Sequence, residues 1–273
     1  MLLSPAIVLP SSAVLGDDFQ VPLTFWHLSA LLATGWVAGF VDSIAGGGGL
    51  ICLPVLLNLG LGPAAALGTN KLQATFGSGS ASWHFVRART VPVQDCVRGF
   101  LLTLLSAALG VWTVQQLDPA LLRRAIPILL LAVAIYTLLK PRLGEADGRP
   151  RLPRLWFDVI FGLLLGFYDG FFGPGTGTFW AMAFVLGLGF NLSRATGYTK
   201  VMNFASNLSA LLFFSLYGQV HLVAGLTMGV GQLLGARLGA RLVIRNGTKL
   251  IRPVFITMVL AMTLKLLYDA YAK

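Results

Sequence analysis

Long apolar stretches alternate with short polar turns along most of this chain. A spanning helix needs about 20 mostly apolar residues, whereas a run of 10 to 14 is more typical of a half-helix or re-entrant piece. Both lengths occur here, in the same order in the two halves of the chain. The predicted segments are 25–44, 50–59, 64–86, 97–114 and 120–139, followed by 155–172, 178–188, a segment ending at 217, 222–244 and 253–268.

A polar linker separates the two sets of segments. Residues 140–154 hold three prolines, two glycines and five basic residues, a composition typical of a surface loop. The predicted organisation is an N-terminal tail at 1–23, a first transmembrane repeat at 24–139, this linker, and a second transmembrane repeat at 155–273.

Composition and charge agree with a membrane protein. Hydrophobic residues make up 56% of the chain and charged residues 11%, and the mean hydropathy is +0.79. This leaves too little polar surface for a soluble globular protein. The net charge of +10 resides in short basic clusters between apolar runs, so the positive-inside rule explains it better than a nucleic-acid partner. The expected partners are the lipid bilayer and a small ligand, and a homo-oligomer is left open.

One motif occurs twice. GFVDSIAGGGGL begins at Gly39, and GFYDGFFGPGTGTF begins at Gly166. Asp42 and Asp169 match at a spacing of 127 residues, and Lys71 and Lys200 match at 129 after a two-residue insertion. Each copy thus combines an aspartate, a glycine-rich break, a short apolar segment and a lysine. A charge at the centre of a membrane helix costs about 2.5–3.5 kcal/mol, so these four residues are interpreted as functional.

The charges of equivalent loops predict that the two repeats are inverted. Residues 87–98 contain three arginines and one aspartate, whereas the equivalent loop 218–221 has no formal charge. One segment later the bias reverses: residues 241–252 hold four basic residues, and 115–119 hold only one aspartate. Equivalent loops would then lie on opposite sides of the membrane. This predicts an all-α fold of two inverted repeats, with a cytoplasmic linker and both termini outside.

The two glycine-rich breaks predict a shared site near the bilayer midplane, where irregular backbone is tolerated only around a protein-enclosed or watery cavity. The first amides of the short helices, together with Lys71 and Lys200, would make that cavity an electropositive anion site. The alternative is that the glycines only let helices cross closely. The candidate substrate-binding residues are Gly46, Gly47, Gly48, Gly49, Asn70, Lys71, Gly173, Gly175, Thr176, Gly177, Thr178, Lys200, Asn203 and Asn207.

The roles of the two aspartates stay open at this point. Asp42 and Asp169 could pair with the lysines, cap a half-helix or carry a proton. The asparagines could line the site or bridge helices. Cys52 is interpreted as buried packing rather than as a reactive thiol. Neither a metal-ligand spacing nor a catalytic arrangement is visible, so no cofactor or metal is expected and an enzyme is not predicted.

The two motifs, with LGTNKLQATFGSGSAS after the first break and TKVMNFASNLSALLFF after the second, resemble the TauE/SafE family over about residues 27–267. The resemblance implies an inner-membrane transporter of sulfite, sulfonates or other small sulfur-containing anions that works without ATP hydrolysis. The leading hypothesis is a proton-coupled secondary transporter using alternating access. The alternatives are a passive anion channel and, with less support, a membrane enzyme acting on sulfur compounds through Cys52. The substrate, the direction and the coupling ion are not determined by the sequence.

Overall fold

The computed structural model describes residues 23–138 and 146–246. These residues form helices, a single 3₁₀ turn at Val93–Asp95 and no strand, which confirms the all-α fold class. The predicted segment at 253–268, the tail before residue 23 and part of the linker lie outside the described residues. The helices are α1 (Phe25–Ala45), α2 (Gly48–Asn58), α3 (Pro63–Arg87), α4 (Val97–Gln115), α5 (Pro119–Leu138), α6 (Arg154–Phe171), α7 (Thr176–Leu188), α8 (Leu192–Leu216) and α9 (Leu222–Asn246).

Helix length and surface chemistry identify a multi-pass membrane protein. Of the described helices, α1, α4 and α9 are long and apolar enough to cross a bilayer, and α2 and α7 are shorter apolar helices. Large apolar side chains point outward from the long helices, as Leu105 of α4 and Leu164 of α6 show. An apolar outer surface suits lipid rather than water. Thus the described residues form a helix at each predicted segment from 25–44 to 222–244, and α2 and α7 are the short ones.

Packing between the two halves is reciprocal. Helix α1 of the first half packs along α9 of the second, and its counterpart α6 packs along α4 of the first half. Helices α3 and α8, which carry the two lysines, pack against each other. The same arrangement is therefore repeated with the halves exchanged, as expected of two repeats that share one core. The opposite orientation of the repeats across the membrane stays a prediction.

Glycines permit the two close crossings. A side chain at Gly235 of α9 would overlap the carbonyl oxygen of Trp36 on α1. At the matching crossing, a side chain at Gly170 of α6 would overlap the carbonyl oxygen of Ala107 on α4. Small residues allow helix backbones to approach closely in a membrane, where van der Waals contact is a main source of helix association. These crossings join each repeat to the other around α3 and α8.

The loop that follows each lysine-bearing helix folds back onto the other lysine-bearing helix. The backbone N–H of His221 donates to Thr69 Oγ1 on α3 at 2.9 Å. The hydroxyl of Tyr198 on α8 donates to Asp95 Oδ2 at 2.9 Å. Thr69 and Tyr198 are equivalent in the repeat, and each lies two residues before its lysine. Each lysine-bearing helix is thus contacted by a loop of the other half. The loop with Asp95 carries formal charges, and the loop with His221 carries none.

The loop residue His221 is expected to make the stability of the protein depend on pH. Its Nδ1 accepts a hydrogen bond from the Ala224 N–H at 3.0 Å, and burial lowers the pKa of its imidazole below the ordinary value of 6.5. A histidine whose pKa is lowered by folding contributes stability above the unfolded pKa, and this contribution is lost as the pH falls through and below about 6.5. Between pH 7.5 and pH 5.5, roughly the range in which histidine titrates, the Tm of the wild type is expected to fall more than that of His221→Asn. Asparagine can cap α9 without titrating. Equal falls in Tm for the two proteins would contradict this role of His221.

Candidate functional site

The first helix break is two residues long rather than four. Helix α1 ends at Ala45, and Gly46 and Gly47 adopt φ angles of +79° and +91°, which favour glycine. The next two glycines, which the sequence suggested as part of the break, instead form the first turn of α2. The Gly48 N–H donates to Asp42 Oδ1 at 3.0 Å, so this carboxylate caps the first amide of the new helix. Asp42 therefore helps to define where the short helix begins.

The second break has the same design. Gly173 and Gly175 have φ angles of +95° and +85°, and α7 begins at Thr176. As in the first break, the last residues of the predicted break, Thr176 and Gly177, belong to the following helix. The Thr176 hydroxyl donates to Asp169 Oδ1 at 3.1 Å, so the aspartate before this break also contacts the start of the short helix. Each motif thus places its aspartate beside the N-terminus of a half-helix.

The two breaks lie directly against each other. A Cβ atom built on Gly46 would be 2.8 Å from both the Gly177 carbonyl carbon and the Thr178 nitrogen. One built on Gly49 would be 3.5 Å from Pro174 Cα. The Thr178 hydroxyl also donates across the contact to the carbonyl oxygen of Ala45, at 3.4 Å. Residues at least 125 positions apart in the chain therefore lie in contact at this site.

A buried ion pair joins Lys71 of the first half to Asp169 of the second. The Nζ–Oδ1 distance is 2.7 Å, and the side chains are 1% and 5% exposed. Lys71 also donates to Asn207 Oδ1 at 3.3 Å, and Asp169 accepts further hydrogen bonds from the hydroxyls of Ser206 and Thr176. This carboxylate is thus held by three side-chain donors.

A second ion pair joins Lys200 to Asp42 in the reciprocal sense. Its Nζ–Oδ2 distance is 3.0 Å, and the same Nζ donates to the Asp42 carbonyl oxygen. Lys200 is fully buried, while the Asp42 side chain is 16% exposed. Each lysine therefore binds the aspartate of the other repeat. The sequence left three roles open for the aspartates. Pairing with a lysine is observed for both of them, and capping of a half-helix is observed for Asp42.

The pairing changes the expected electrostatics of the site. The sequence suggested an electropositive cavity, but two lysines and two aspartates carry no net formal charge when all four are ionised. The ion pairs at 2.7 Å and 3.0 Å use much of the lysines' attraction for an external anion. In this conformation the positive and negative charges of the four side chains thus balance one another.

A small cavity of about 30 Å³ lies among these groups, with room for roughly two water molecules. Gly46, Gly48, Thr178 and Lys200 are absent from its lining and lie around it. Gln232 of α9 and Ala74 of α3 also line it, and neither was among the predicted residues. The signal for Gln232 was a single amide among the mostly apolar, glycine-rich residues 222–236 that begin α9. The predicted residues that line the cavity are Asp42, Gly47, Gly49, Asn70, Lys71, Asp169, Gly173, Gly175, Thr176, Gly177, Asn203 and Asn207.

Two backbone amides on the cavity wall are available to a ligand. Gly49 and Gly177 are each the second residue of a short helix, and both line the cavity. Among the hydrogen bonds of the described residues, neither amide has an acceptor. Free amides at a helix N-terminus, aided by the helix dipole, bind negatively charged groups. The cavity wall can therefore offer an oxyanion two amides and, once Lys71 is released from its partners, one ammonium group.

A reactive thiol and a metal site are two other chemistries to consider. Cys52 is buried in an apolar cluster with Leu53 and Leu56, which agrees with its interpretation as packing. Within residues 23–138 and 146–246, no group of three or more His, Cys, Asp or Glu side chains could hold a metal ion.

The helices, the interrupted pair and the buried charges define a multi-pass membrane protein with a buried polar site. The chain belongs to the TauE/SafE family, because the family model described as "Sulfite exporter TauE/SafE" matches residues 31–266. This confirms the family suggested by the paired motifs.

Curated relatives cover nearly the full length of the chain. A protein of Haemophilus influenzae named "Probable membrane transporter protein" is 47% identical over 242 residues, which are 89% of this chain and 95% of the relative. "Probable membrane transporter protein YfcA" of Escherichia coli K12 is 46% identical, over 90% of this chain and 91% of its own length. A Sinorhizobium protein, "Probable membrane transporter protein ORF9", is 41% identical, over 90% and 95%. No solved structure matches the chain. These names support membrane transport as the general activity.

Proposed function

We propose that this protein is a proton-coupled secondary transporter of small sulfur-containing anions, such as sulfite or sulfonates, in the cell inner membrane. The observation that carries the proposal is the pair of buried lysines, one from each half, each bound to the aspartate of the other half beside a free helix amide. Charged side chains buried in a membrane segment mark ion or substrate pathways in most transporters. The family description, which names a sulfite exporter, supports the choice of cargo.

Proton coupling follows from the charge balance of the site. An anion that binds a lysine competes with that lysine's aspartate and adds a negative charge to a site that carries none. An unpaired buried carboxylate is unfavourable and gains a proton more readily than one that is paired. Asp42 is the better candidate for this proton because it is more exposed than Asp169 and has one side-chain partner rather than three. Anion and proton would then enter and leave together.

Alternating access would use the contacts between the halves. Both ion pairs cross from one repeat to the other: the Lys71 pair joins α3 to α6, and the Lys200 pair joins α8 to α1. Replacing these pairs by contacts with an anion and a proton would weaken both connections. One half could then rock against the other about the glycine breaks. The loop contacts Thr69–His221 and Tyr198–Asp95 would close the two ends in turn.

The predicted topology places the linker side in the cytoplasm and the termini outside, and matched positions can test it. Ala88 and Tyr217 are exposed residues that follow α3 and α8, 129 residues apart in equivalent places. A membrane-impermeant maleimide applied to intact cells is expected to label Tyr217→Cys strongly and Ala88→Cys only after permeabilisation. The two native cysteines are buried. Equal labelling of both variants from outside would contradict the inverted arrangement.

Uptake driven by a proton gradient tests the proposed function. Purified protein in liposomes is expected to accumulate radiolabelled sulfite above the external concentration when a proton gradient is imposed, and to lose the accumulation when a protonophore is added. Equilibration without accumulation would indicate a passive channel, because a channel cannot couple to the gradient. Cys52→Ser is expected to transport like the wild type. Flux no greater than in protein-free liposomes for sulfite, thiosulfate and sulfoacetate would contradict the proposal.

A further inference from the structure

One buried amide on the cavity wall, the side chain of Gln232 on α9, lies outside the repeated motif. The side chain of Gln232 is 1% exposed, and its Oε1 has no hydrogen-bond partner. It passes directly over Gly77 of α3, where any side chain would overlap its Cγ. The Oδ1 of Asn203 on α8 is also buried without a partner, and it lines the same cavity. Two amide groups from two helices thus have hydrogen-bonding capacity that the described residues do not use.

Unused capacity of this kind points to a bound molecule. Buried polar side chains in folded proteins nearly always have a hydrogen-bond partner, and the exceptions require an explanation. Because Gln232 and Asn203 both line the cavity, the missing partners can come from its occupant. A primary amide can donate and accept, so it can bind the oxygen atoms of an anion without adding charge.

The amide of Gln232 makes the site chemically asymmetric. In one crossing Gly39 packs on the backbone of Gln232, and in the other the equivalent Gly166 packs on the backbone of Thr103. The threonine therefore occupies the matching place in the other half, but it does not line the cavity, and its hydroxyl lies 3.9 Å from Met202 Sδ. Only one of the two matched positions presents an amide to the site. A ligand with one polar end would bind there in a defined orientation.

A second pair of amides adds to this asymmetry. The Gln73 side-chain NH₂ group donates to Asn70 Oδ1 at 2.8 Å, and the Asn70 NH₂ group takes no part in that bond. Asn70 and Gln232 both line the cavity. The residue equivalent to Gln73 in the second half is Met202, so this arrangement is also absent from the other side.

We propose that Gln232 is a substrate-binding residue that, with Asn203, hydrogen-bonds the oxygen atoms of the transported sulfur oxyanion. The proposal rests on the proposed function, since it assigns a residue to that transport site. It makes Gln232 a determinant of affinity that is separate from the charged residues. Removing its amide should weaken binding of the anion without disturbing either ion pair.

Thermal unfolding of the purified protein with and without sulfite tests this role. Gln232→Met keeps the length of the side chain and removes its hydrogen bonds, and it is expected to raise the apparent Kd for sulfite by about tenfold or more. The matched control Thr103→Val is expected to bind sulfite within twofold of the wild type. A residue with only a structural role would shift the Tm without sulfite but leave the increment caused by sulfite unchanged.

The outcomes separate the two proposals. Binding of sulfite by Gln232→Met within twofold of the wild type, or equal loss in Thr103→Val, would overturn the role of Gln232 and leave the transporter proposal intact. Absence of any stabilisation of the wild type by sulfite, thiosulfate or sulfoacetate would overturn both. If Gln232→Met fails to fold, Gln232→Asn, which keeps a shortened amide, is expected to bind sulfite several-fold more weakly, and unchanged binding would again overturn the assignment.

Discussion

Lys71→Met is expected to destabilise the protein by about 3–5 kcal/mol, because it leaves Asp169 as a buried carboxylate without its cation. The double variant Lys71→Met/Asp169→Leu is expected to recover most of that loss, since it removes both charges together. The hydroxyls that lose Asp169 keep other acceptors: Thr176 also donates to the Gly173 carbonyl oxygen, and Ser206 to that of Met202. The free energies of unfolding of the wild type, both single variants and the double variant measure the coupling.

An ion pair near the surface provides the control for this cycle. Arg98 is 54% exposed and lies 4.0 Å from Asp158, so Arg98→Met is expected to change stability by no more than about 1 kcal/mol. A loss of similar size for Lys71→Met, or additive effects in the double variant, would show that the Lys71–Asp169 pair does not hold the two halves together. The cycle therefore separates the structural role of the pair from its proposed role in transport.

The second large effect is expected for Gly46→Val, which should lower the free energy of unfolding by about 3 kcal/mol or more. The residue has φ +79°, where a β-branched side chain is strained, and its Cβ would lie 2.8 Å from backbone atoms of Gly177 and Thr178. Backbone atoms of packed helices cannot move aside as a flexible side chain could. Thermal unfolding of the purified variant measures the effect.

Gly218→Val isolates the contribution of backbone strain. Gly218 has φ +67°, but a Cβ there would meet nothing within 4 Å. Its replacement is expected to cost about 1–2 kcal/mol, from the left-handed conformation alone. The difference between the two variants reports the contact between the two glycine breaks. Equal losses would argue against close contact between the two halves at this point.

Much of the fold could be predicted from hydrophobic pattern. The predicted bounds of the segments within the described residues agree with the helices to within about two residues, because segment length and glycine content determine where a membrane helix can run. The length of the breaks was less predictable. Gly48 and Gly49 belong to the first turn of α2, where Asp42 accepts from the Gly48 N–H, and composition alone does not show that contact.

The pairing of charges could not be predicted from the sequence. Spacing identified Asp42, Lys71, Asp169 and Lys200, but it could not show that each lysine reaches across to the other repeat. The pairing depends on how α3 lies beside α6 and α8 beside α1, which the spacing of the motifs does not specify. Gln232 was missed for a related reason: it lies outside the repeated motif and reaches the cavity only through the crossing of α1 and α9 with α3.

The most direct test of the central claim is the initial rate of radiolabelled sulfite uptake into liposomes by variants that lack one cross-repeat pair but retain the fold. The two variants are Lys71→Met/Asp169→Leu and Lys200→Met/Asp42→Asn, the latter keeping a side-chain oxygen to cap Gly48. Size-exclusion chromatography and thermal unfolding first establish that each is folded. We expect both rates to equal that of protein-free liposomes while the wild type accumulates sulfite; a rate within twofold of the wild type in either variant would contradict the claim that these pairs form the transport site.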